Sequence, residues 1–143
     1  MRLHNNNNNN NITIALTIAV FVLSWVATSC QKTPINGDLD GQWQVMSVTP
    51  EPEERPIEER LYYCFNLHVC NLTYYGGVFT SGNIQFDDKT LYLDFPYADS
   101  HLSIRRLRQY GIDENPITFS VEHLDKKSLI LRHGDTVVTM RKF

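Results

Sequence analysis

The sequence lacks an excess of basic residues. It has 13 Lys and Arg against 16 Asp and Glu, and its formal net charge is −3. A protein that binds nucleic acid through the phosphates carries a basic patch or a strongly basic overall charge. We therefore expect no nucleic-acid partner. The slight excess of acidic residues does not identify any other kind of partner.

Motifs for metal binding and catalysis are also missing. The histidines after residue 30 are not spaced four apart, and no Cys-x-x-Cys pair accompanies them. Asp99-Ser100-His101 has the letters of a catalytic triad, but neighbours at the start of a helix cannot converge their side chains. The only Gly-Gly pair, Gly76-Gly77, is a turn rather than a phosphate loop. We expect no metal, no cofactor and no catalytic residue, and hence not an enzyme.

Long apolar runs are absent with one exception. Residues 12–28 are seventeen uncharged residues rich in Ile, Val, Leu and Ala. A helix that spans a bilayer needs about 20 apolar residues, so this run fits the apolar region of a signal peptide better than a permanent span. We predict that residues 1–29 form a signal helix that is cut away. A signal-anchor helix and an ordinary secretory signal are the alternatives.

The end of this run resembles the lipobox of bacterial lipoproteins. In that motif small residues precede a cysteine that is lipidated and becomes the mature N-terminus, and Ala27-Thr28-Ser29-Cys30 is similar to it. The resemblance implies that lipid on Cys30 anchors the protein to the outer membrane of the cell envelope, on either its periplasmic or its surface face. Residues 30–40 cluster Pro, Asn, Gly and Asp and are predicted to be a tether.

Residues 41–143 alternate apolar and polar side chains in short runs bounded by turn residues. This pattern predicts an all-β domain. The predicted strands are 41–49, 61–75 as one strand or two around a turn near Asn66–His68, 82–87, 90–95, 117–124, 128–132 and 136–143. Residues 50–60 contain three prolines and five acidic residues and are predicted to be a solvated loop or a short helical turn.

One segment has helical spacing. Residues 99–110 place Ile104, Leu107 and Tyr110 three apart, and Gly111 follows where a helix C-cap favours glycine. Asp99 or Ser100 offers an N-cap. Three arginines in the last turns complement the helix dipole, and the sharper alternative is that they contact an anionic headgroup or polysaccharide.

About eight meandering strands must protect their edges, and closure into a barrel does so. A small antiparallel barrel of eight strands is either filled by side chains or holds one small ligand. The predicted inward residues are Trp43, Val45, Ile84, Phe86, Leu91, Leu93, Phe95, Ile117, Phe119, Val121, Leu129 and Leu131. The bulk of these side chains favours a filled core, and a hollow barrel is the alternative.

The start of the first strand, Gly41-Gln42-Trp43, resembles the Gly-x-Trp that opens lipocalins. In that family an arginine of the last strand packs across the tryptophan and closes the barrel floor, which implies Arg141 as the partner of Trp43 through a cation–π contact. Together with the lipobox, the domain resembles lipocalin-like lipoproteins of Gram-negative bacteria, whose function is generally unknown. Lipocalins carry their main helix after the eighth strand, so the mid-chain helix is a departure.

Two further groups of residues are candidates. Cys64 and Cys70 stand too far apart for a disulfide on one straight strand, but can face each other if a turn lies at Asn66–His68. The tyrosines Tyr62, Tyr92 and Tyr97 are candidates for the rim of a ligand mouth or a protein interface.

We therefore expect a non-enzymatic lipoprotein that binds a small apolar or amphipathic molecule. The alternative is a protein-interaction module of an envelope complex whose barrel is filled. Interior volume separates the two, because a ligand needs a connected apolar cavity of about 300 Å³ or more.

Overall fold

The computed structural model describes residues 35–52, 60–74, 77–98 and 101–143, which fall within one compact unit, Pro34–Phe143. The predicted signal helix, Cys30 and the two N-cap candidates lie outside the described residues. Among the described residues, no helix is long and apolar enough to cross a membrane.

In the described part of the chain, eight antiparallel strands form a closed barrel in sequence order, and the last pairs with the first. One α-helix lies between the fifth and sixth strands, and a 3-10 helix precedes the first. The prediction of an all-β meandering barrel with one short helix is confirmed. The elements are the 3-10 helix Gly37–Leu39, β1 Gly41–Thr49, β2 Leu61–Asn66, β3 Val69–Tyr74, β4 Gly77–Phe86, β5 Thr90–Asp94, α1 His101–Gln109, β6 Ile117–Leu124, β7 Ser128–His133 and β8 Thr136–Lys142.

Strand β4 begins five residues earlier than predicted. The segment before Gly82 contains Thr80 and Ser81, which look like turn residues in the sequence but pair with β3 in the structure. Gly82 itself is required by close packing, because a Cβ there would lie 2.6 Å from the Asp94 carbonyl and from the Phe95 ring. Glycine at this position therefore marks close approach rather than a turn.

The meander gives the barrel two different ends. The tight β2–β3, β4–β5 and β6–β7 turns and the 3-10 helix lie at one end, which we call the closed end. The longer β1–β2 and β5–β6 connections lie at the other, the helix end, and the second of these contains α1. Every functional argument below depends on which end a residue occupies.

The closed end includes residues that the sequence assigns to the tether. Leu39 of the 3-10 helix is fully buried, and the Asn36 side-chain amide donates to the Leu67 carbonyl at 2.6 Å. The packed domain therefore begins before Gly41. A composition rich in turn residues is typical of a flexible tether, but it is equally typical of a short 3-10 helix that packs on a barrel.

Candidate functional site

Side chains fill the barrel interior. Most of the predicted inward residues are buried in one continuous cluster, and Phe86 and Val121 pack against it while partly exposed. The cluster also contains residues that the period-two pattern did not single out, namely Leu61, Tyr63, Phe65, Cys70, Leu72, Val138 and Met140. The interior therefore has the character of a packed core.

Helix α1 completes this core from the helix end. Leu107, Tyr110 and Ile112 are each at most 1% exposed and belong to the same cluster as the strand residues. The helix and the residues after it thus close the helix end of the barrel. The sequence predicted helical structure over residues 99–110, and in the structure α1 is the plug of the barrel.

Two tyrosines hold the plug by hydrogen bonds inside the core. The Tyr63 hydroxyl donates to the Tyr110 carbonyl at 2.7 Å, and the Tyr110 hydroxyl donates to the Thr73 carbonyl at 2.9 Å. The two rings meet edge to face at 5.8 Å. Burial raises the pKa of Tyr63 well above its usual value, so this hydroxyl stays protonated as a donor.

The end of α1 sets the direction of the chain into the core. The Ile112 amide donates to the Leu107 carbonyl at 3.0 Å and the Gly111 amide donates to the Arg108 carbonyl at 2.9 Å, which is a Schellman motif. Gly111 has φ +82°, and a Cβ there would collide with Val138. The predicted C-cap at Gly111 is confirmed, and it turns Ile112 back under the helix.

The three arginines of α1 do not share one role. The Arg106 guanidinium lies 5.1 Å from the Tyr74 ring centre and 5.6 Å from that of Phe79, and Nη1 donates to the Tyr74 hydroxyl at 3.2 Å. Arg106 therefore fastens the helix to the barrel wall. Arg105 and Arg108, three residues apart and so neighbours on the helix surface, line a groove instead.

This groove lies beside the core, whose residue Val48 contributes to its lining, between α1 and the end of β1, and has a volume of about 420 Å³. We call it the helix-end groove. The described residues that line it are Val48, Pro50, Glu51, Pro52, Arg105, Arg108, Gln109, Gly111, Asp113 and Thr136. It combines an apolar strip with two guanidinium groups and two carboxylates, so it can receive a molecule with an apolar part and a charged part.

The floor of the barrel is closed by Trp43, but Arg141 is not its partner. The Trp43 ring is fully buried, its Nε1 donates to the Leu39 carbonyl at 2.7 Å, and Lys142 Nζ lies 4.9 Å from the ring centre. Lys142 Nζ also donates to the Asp38 carbonyl at 2.7 Å.

Strand alternation is the reason for this correction. Val138 and Met140 point into the barrel, so the inward position that follows is 142, and Arg141 points outward to bond Gln44 Oε1 at 3.0 Å. The resemblance correctly implied a cation on Trp43 from the last strand, and the cation is one residue further along.

Cys64 and Cys70 are free thiols, although the turn occurs where the disulfide required it. Cys70 pairs with Phe65 and points into the core, whereas Cys64 pairs with Asn71 on the outer face, its Sγ 4.0 Å from the Thr73 hydroxyl. Burial raises the pKa of both thiols, Cys70 more strongly, and the contact with Thr73 opposes the shift at Cys64. A one-residue offset in register thus puts the two sulfurs on opposite faces of the sheet.

The candidate tyrosines do not form a rim together. Tyr62 lies on the outer wall, its ring 5.5 Å from that of Phe143, and Tyr92 is a half-buried residue in the middle of β5. Tyr97 follows β5 at the helix end and is 84% exposed. None of the three is among the described residues that line the helix-end groove.

A second depression lies at the closed end. It has a volume of about 460 Å³ and is lined by Asn36, Gly37, Asp38, Asp88 and residues 121–124. Two of its charged residues already have partners on the protein, since Glu122 is paired with Arg132 and His123 with Asp125. Over the ranges described, no three His, Cys, Asp or Glu residues are grouped so as to hold a metal ion.

Comparison with known proteins gives a consistent picture. A family model described as a lipocalin-like domain matches residues 22–143. Among solved structures, a lipocalin-like protein from Bacteroides uniformis superposes with a TM-score of 0.56 at 23% identity, covering 75% of this chain and 100% of its own. An uncharacterized protein from Bacteroides eggerthii gives a TM-score of 0.51 at 17% identity, covering 73% and 98%. No curated protein matches at a significant level.

Proposed function

Because the chain belongs to the lipocalin-like domain family, we propose that it is a binding protein, held in the cell envelope by lipid on Cys30, whose ligand is a small amphipathic molecule with an anionic group. The ligand occupies the helix-end groove and not the barrel interior. The observation that carries this proposal is the mixed lining of that groove, with Arg105 and Arg108 on one side and Val48 and Pro50 beside them.

The size and chemistry of the groove support a small ligand. Its volume of about 420 Å³ falls within the roughly 300–1,000 Å³ of known ligand sites. Guanidinium groups bind carboxylate and phosphate through bidentate hydrogen bonds, so the arginines favour a ligand with an anionic head group. An acyl chain or ring system can then lie along Val48, Pro50 and Pro52.

The two acids on the lining give the proposal a directional test. Glu51 and Asp113 repel an anionic head and compete with it for the arginines. Removing a lining arginine should weaken binding, whereas removing a lining acid should strengthen it.

The binding experiment is a calorimetric titration of the purified protein with dodecanoate. We expect Arg108→Ala to weaken binding about tenfold, which corresponds to about 1.4 kcal/mol, and Asp113→Asn to strengthen it. Arg141→Ala is the matched control, because it removes an exposed arginine from the other end of the barrel. Wild-type affinity in Arg108→Ala, or equal losses in Arg108→Ala and Arg141→Ala, would contradict the proposal.

The envelope location is supported by the lipobox-like Ala27-Thr28-Ser29-Cys30. Several acyl chains on one cysteine hold a protein stably on a membrane, and the outer membrane is the destination we propose. Intact-mass measurement of the membrane fraction should find a chain that starts at an acylated Cys30. Cys30→Ser should move the protein to the soluble fraction, and persistent membrane association of that variant would refute the anchor.

The filled core favours a second candidate, a protein-interaction module of an envelope complex. Val78 and Tyr97 are exposed at the helix end at 62% and 84%, and exposed apolar and aromatic side chains are typical of partner surfaces. If crosslinking in the envelope traps a single protein partner through position 97, while dodecanoate fails to bind, this candidate replaces the first.

A further inference from the structure

The closed end of the barrel exposes apolar side chains where the N-terminal segment enters the fold. Ile35, Leu67 and Val69 are 59%, 47% and 40% exposed. We call these three residues the Leu67 patch. Asn36 holds Ile35 near Leu67, because Asn36 follows Ile35 in the chain and its side-chain amide donates to the Leu67 carbonyl at 2.6 Å.

Leu67 is unusual for its position. It lies at the tip of the β2–β3 hairpin with φ 57°, a conformation in which glycine and asparagine are favoured and a bulky apolar residue is strained. The backbone of the tip is fixed from both sides, since the Leu67 carbonyl accepts from Asn36 and the His68 carbonyl accepts from the Ile84 amide at 3.0 Å. The tip therefore presents the Leu67 side chain outward on a rigid support.

The chain outside the described residues indicates what the patch faces. Five residues lead from Cys30 to Ile35, and five residues span at most about 18 Å when fully extended. If Cys30 carries lipid, the closed end must stay within this distance of the bilayer. An exposed leucine and isoleucine at that distance can reach the boundary between headgroups and acyl chains.

We propose that the Leu67 patch rests on the lipid surface in which Cys30 is anchored. The barrel then stands with its closed end on the membrane and its helix-end groove directed to the aqueous side. This inference depends on the proposed lipid anchor, but it adds a contact that the anchor alone does not require. A tether without such a contact would let the barrel tumble freely.

We expect the contact with lipid to be apolar and not electrostatic, because the charges around the patch cancel. The closed end carries the aspartates Asp38, Asp40, Asp87, Asp88 and Asp125 and the cations Lys89, Lys126, Lys127, Arg141 and Lys142, which balance. Contacts driven by net charge weaken as salt screens them, whereas insertion of apolar side chains does not. We therefore expect the patch to bind zwitterionic lipid, with no loss at high salt.

A second copy of the chain is a weaker explanation of the patch. A stable interface buries about 800 Å² on each partner, and three partly exposed side chains offer much less than this. A lipid surface needs no matching shape and is already fixed nearby by the acylated cysteine.

Tryptophan fluorescence tests the contact in the full lipidated protein. Leu67→Trp places a probe in the patch, and Val78→Trp places a matched probe on an exposed site at the helix end. Native Trp43 is fully buried and contributes the same background to both. The proteins are reconstituted into phosphatidylcholine vesicles with or without brominated acyl chains, which quench nearby tryptophan.

We expect bromolipid to quench at least half of the added Leu67→Trp emission and almost none of that from Val78→Trp, at both low and high salt. Equal quenching of the two probes, or none at position 67 in protein that co-floats with vesicles, overturns the contact and leaves the anchor intact. A blue shift at position 67 that grows with protein concentration and is indifferent to bromolipid assigns the patch to a second copy and also overturns it. Failure of the proteins to co-float, with no acyl mass on Cys30, refutes the anchor itself.

Discussion

Tyr63→Phe tests whether the barrel core is packed and dry. The substitution removes one hydroxyl and leaves no large cavity, so its effect reports the loss of the 2.7 Å hydrogen bond to the Tyr110 carbonyl. Tyr63 is fully buried and Tyr110 is 1% exposed, so water cannot replace the lost donor. An unsatisfied buried carbonyl costs about 1–3 kcal/mol.

The assay is urea unfolding followed by the emission of Trp43, with thermal unfolding beside it. We expect the midpoint to fall with no change in the urea dependence, and the melting temperature to fall by about 4–12 °C, at about 4 °C per kcal/mol for a domain of this size. Tyr62→Phe is the matched control, since Tyr62 is the next residue along β2 but lies on the outer wall, where substitutions cost less than about 0.5 kcal/mol. A Tyr63→Phe effect no larger than that of Tyr62→Phe would mean that solvent reaches the Tyr63 hydroxyl, and the packed-core interpretation would be refuted.

Three further predictions concern the floor, the thiols and the hairpin tip. Lys142→Met should lower the free energy of unfolding by about 1–2 kcal/mol, because it removes the cation over Trp43 and the hydrogen bond that this cation makes. Arg141→Ala should change the free energy of unfolding by less than about 0.5 kcal/mol. A larger loss in Arg141→Ala than in Lys142→Met would restore Arg141 as the floor residue. In the folded mature protein a thiol reagent should modify Cys64 slowly and Cys70 only on unfolding. The reaction at Cys64 should need a higher pH than that of a free thiol, because burial raises the pKa of Cys64. If both thiols are unreactive until the protein is reduced, they form a disulfide instead. Leu67→Asn should raise the melting temperature, since asparagine relieves the strain at φ 57°. An unchanged or lower melting temperature would contradict the strain assigned to Leu67.

The strands were predictable because one face of each is buried. Period-two alternation identified residues such as Leu91, Leu93 and Phe119 as inward, and all three are fully buried. The same alternation, followed through Val138 and Met140, already indicates position 142 and not 141 as the inward cation. Likewise the pairing of Phe65 with Cys70 would have separated the two cysteines once the turn was fixed at Leu67-His68. The assignment of Arg141 came from a family resemblance, and the disulfide stayed an open alternative because the register was unresolved. The pattern contained the information to decide both.

The helix-end groove could not be predicted in the same way. Its lining comes from segments as far apart as Val48 and Thr136, which meet only because the barrel closes and α1 folds over its end. The inward role of Tyr63 was missed for a related reason. A tyrosine next to another tyrosine reads as surface, and its buried hydroxyl is tolerated only because the Tyr110 carbonyl accepts its hydrogen bond.

The central claim is that the barrel is filled and that the ligand binds in the helix-end groove. It is tested most directly by methyl NMR of Ile, Leu and Val residues during titration with dodecanoate. Val48 lines the groove, whereas Leu72, Leu93 and Leu131 report on the interior. The account predicts that the Val48 methyls shift while the three interior leucines do not. Shifts of the interior leucines with an unperturbed Val48 would place the ligand inside the barrel and contradict the account.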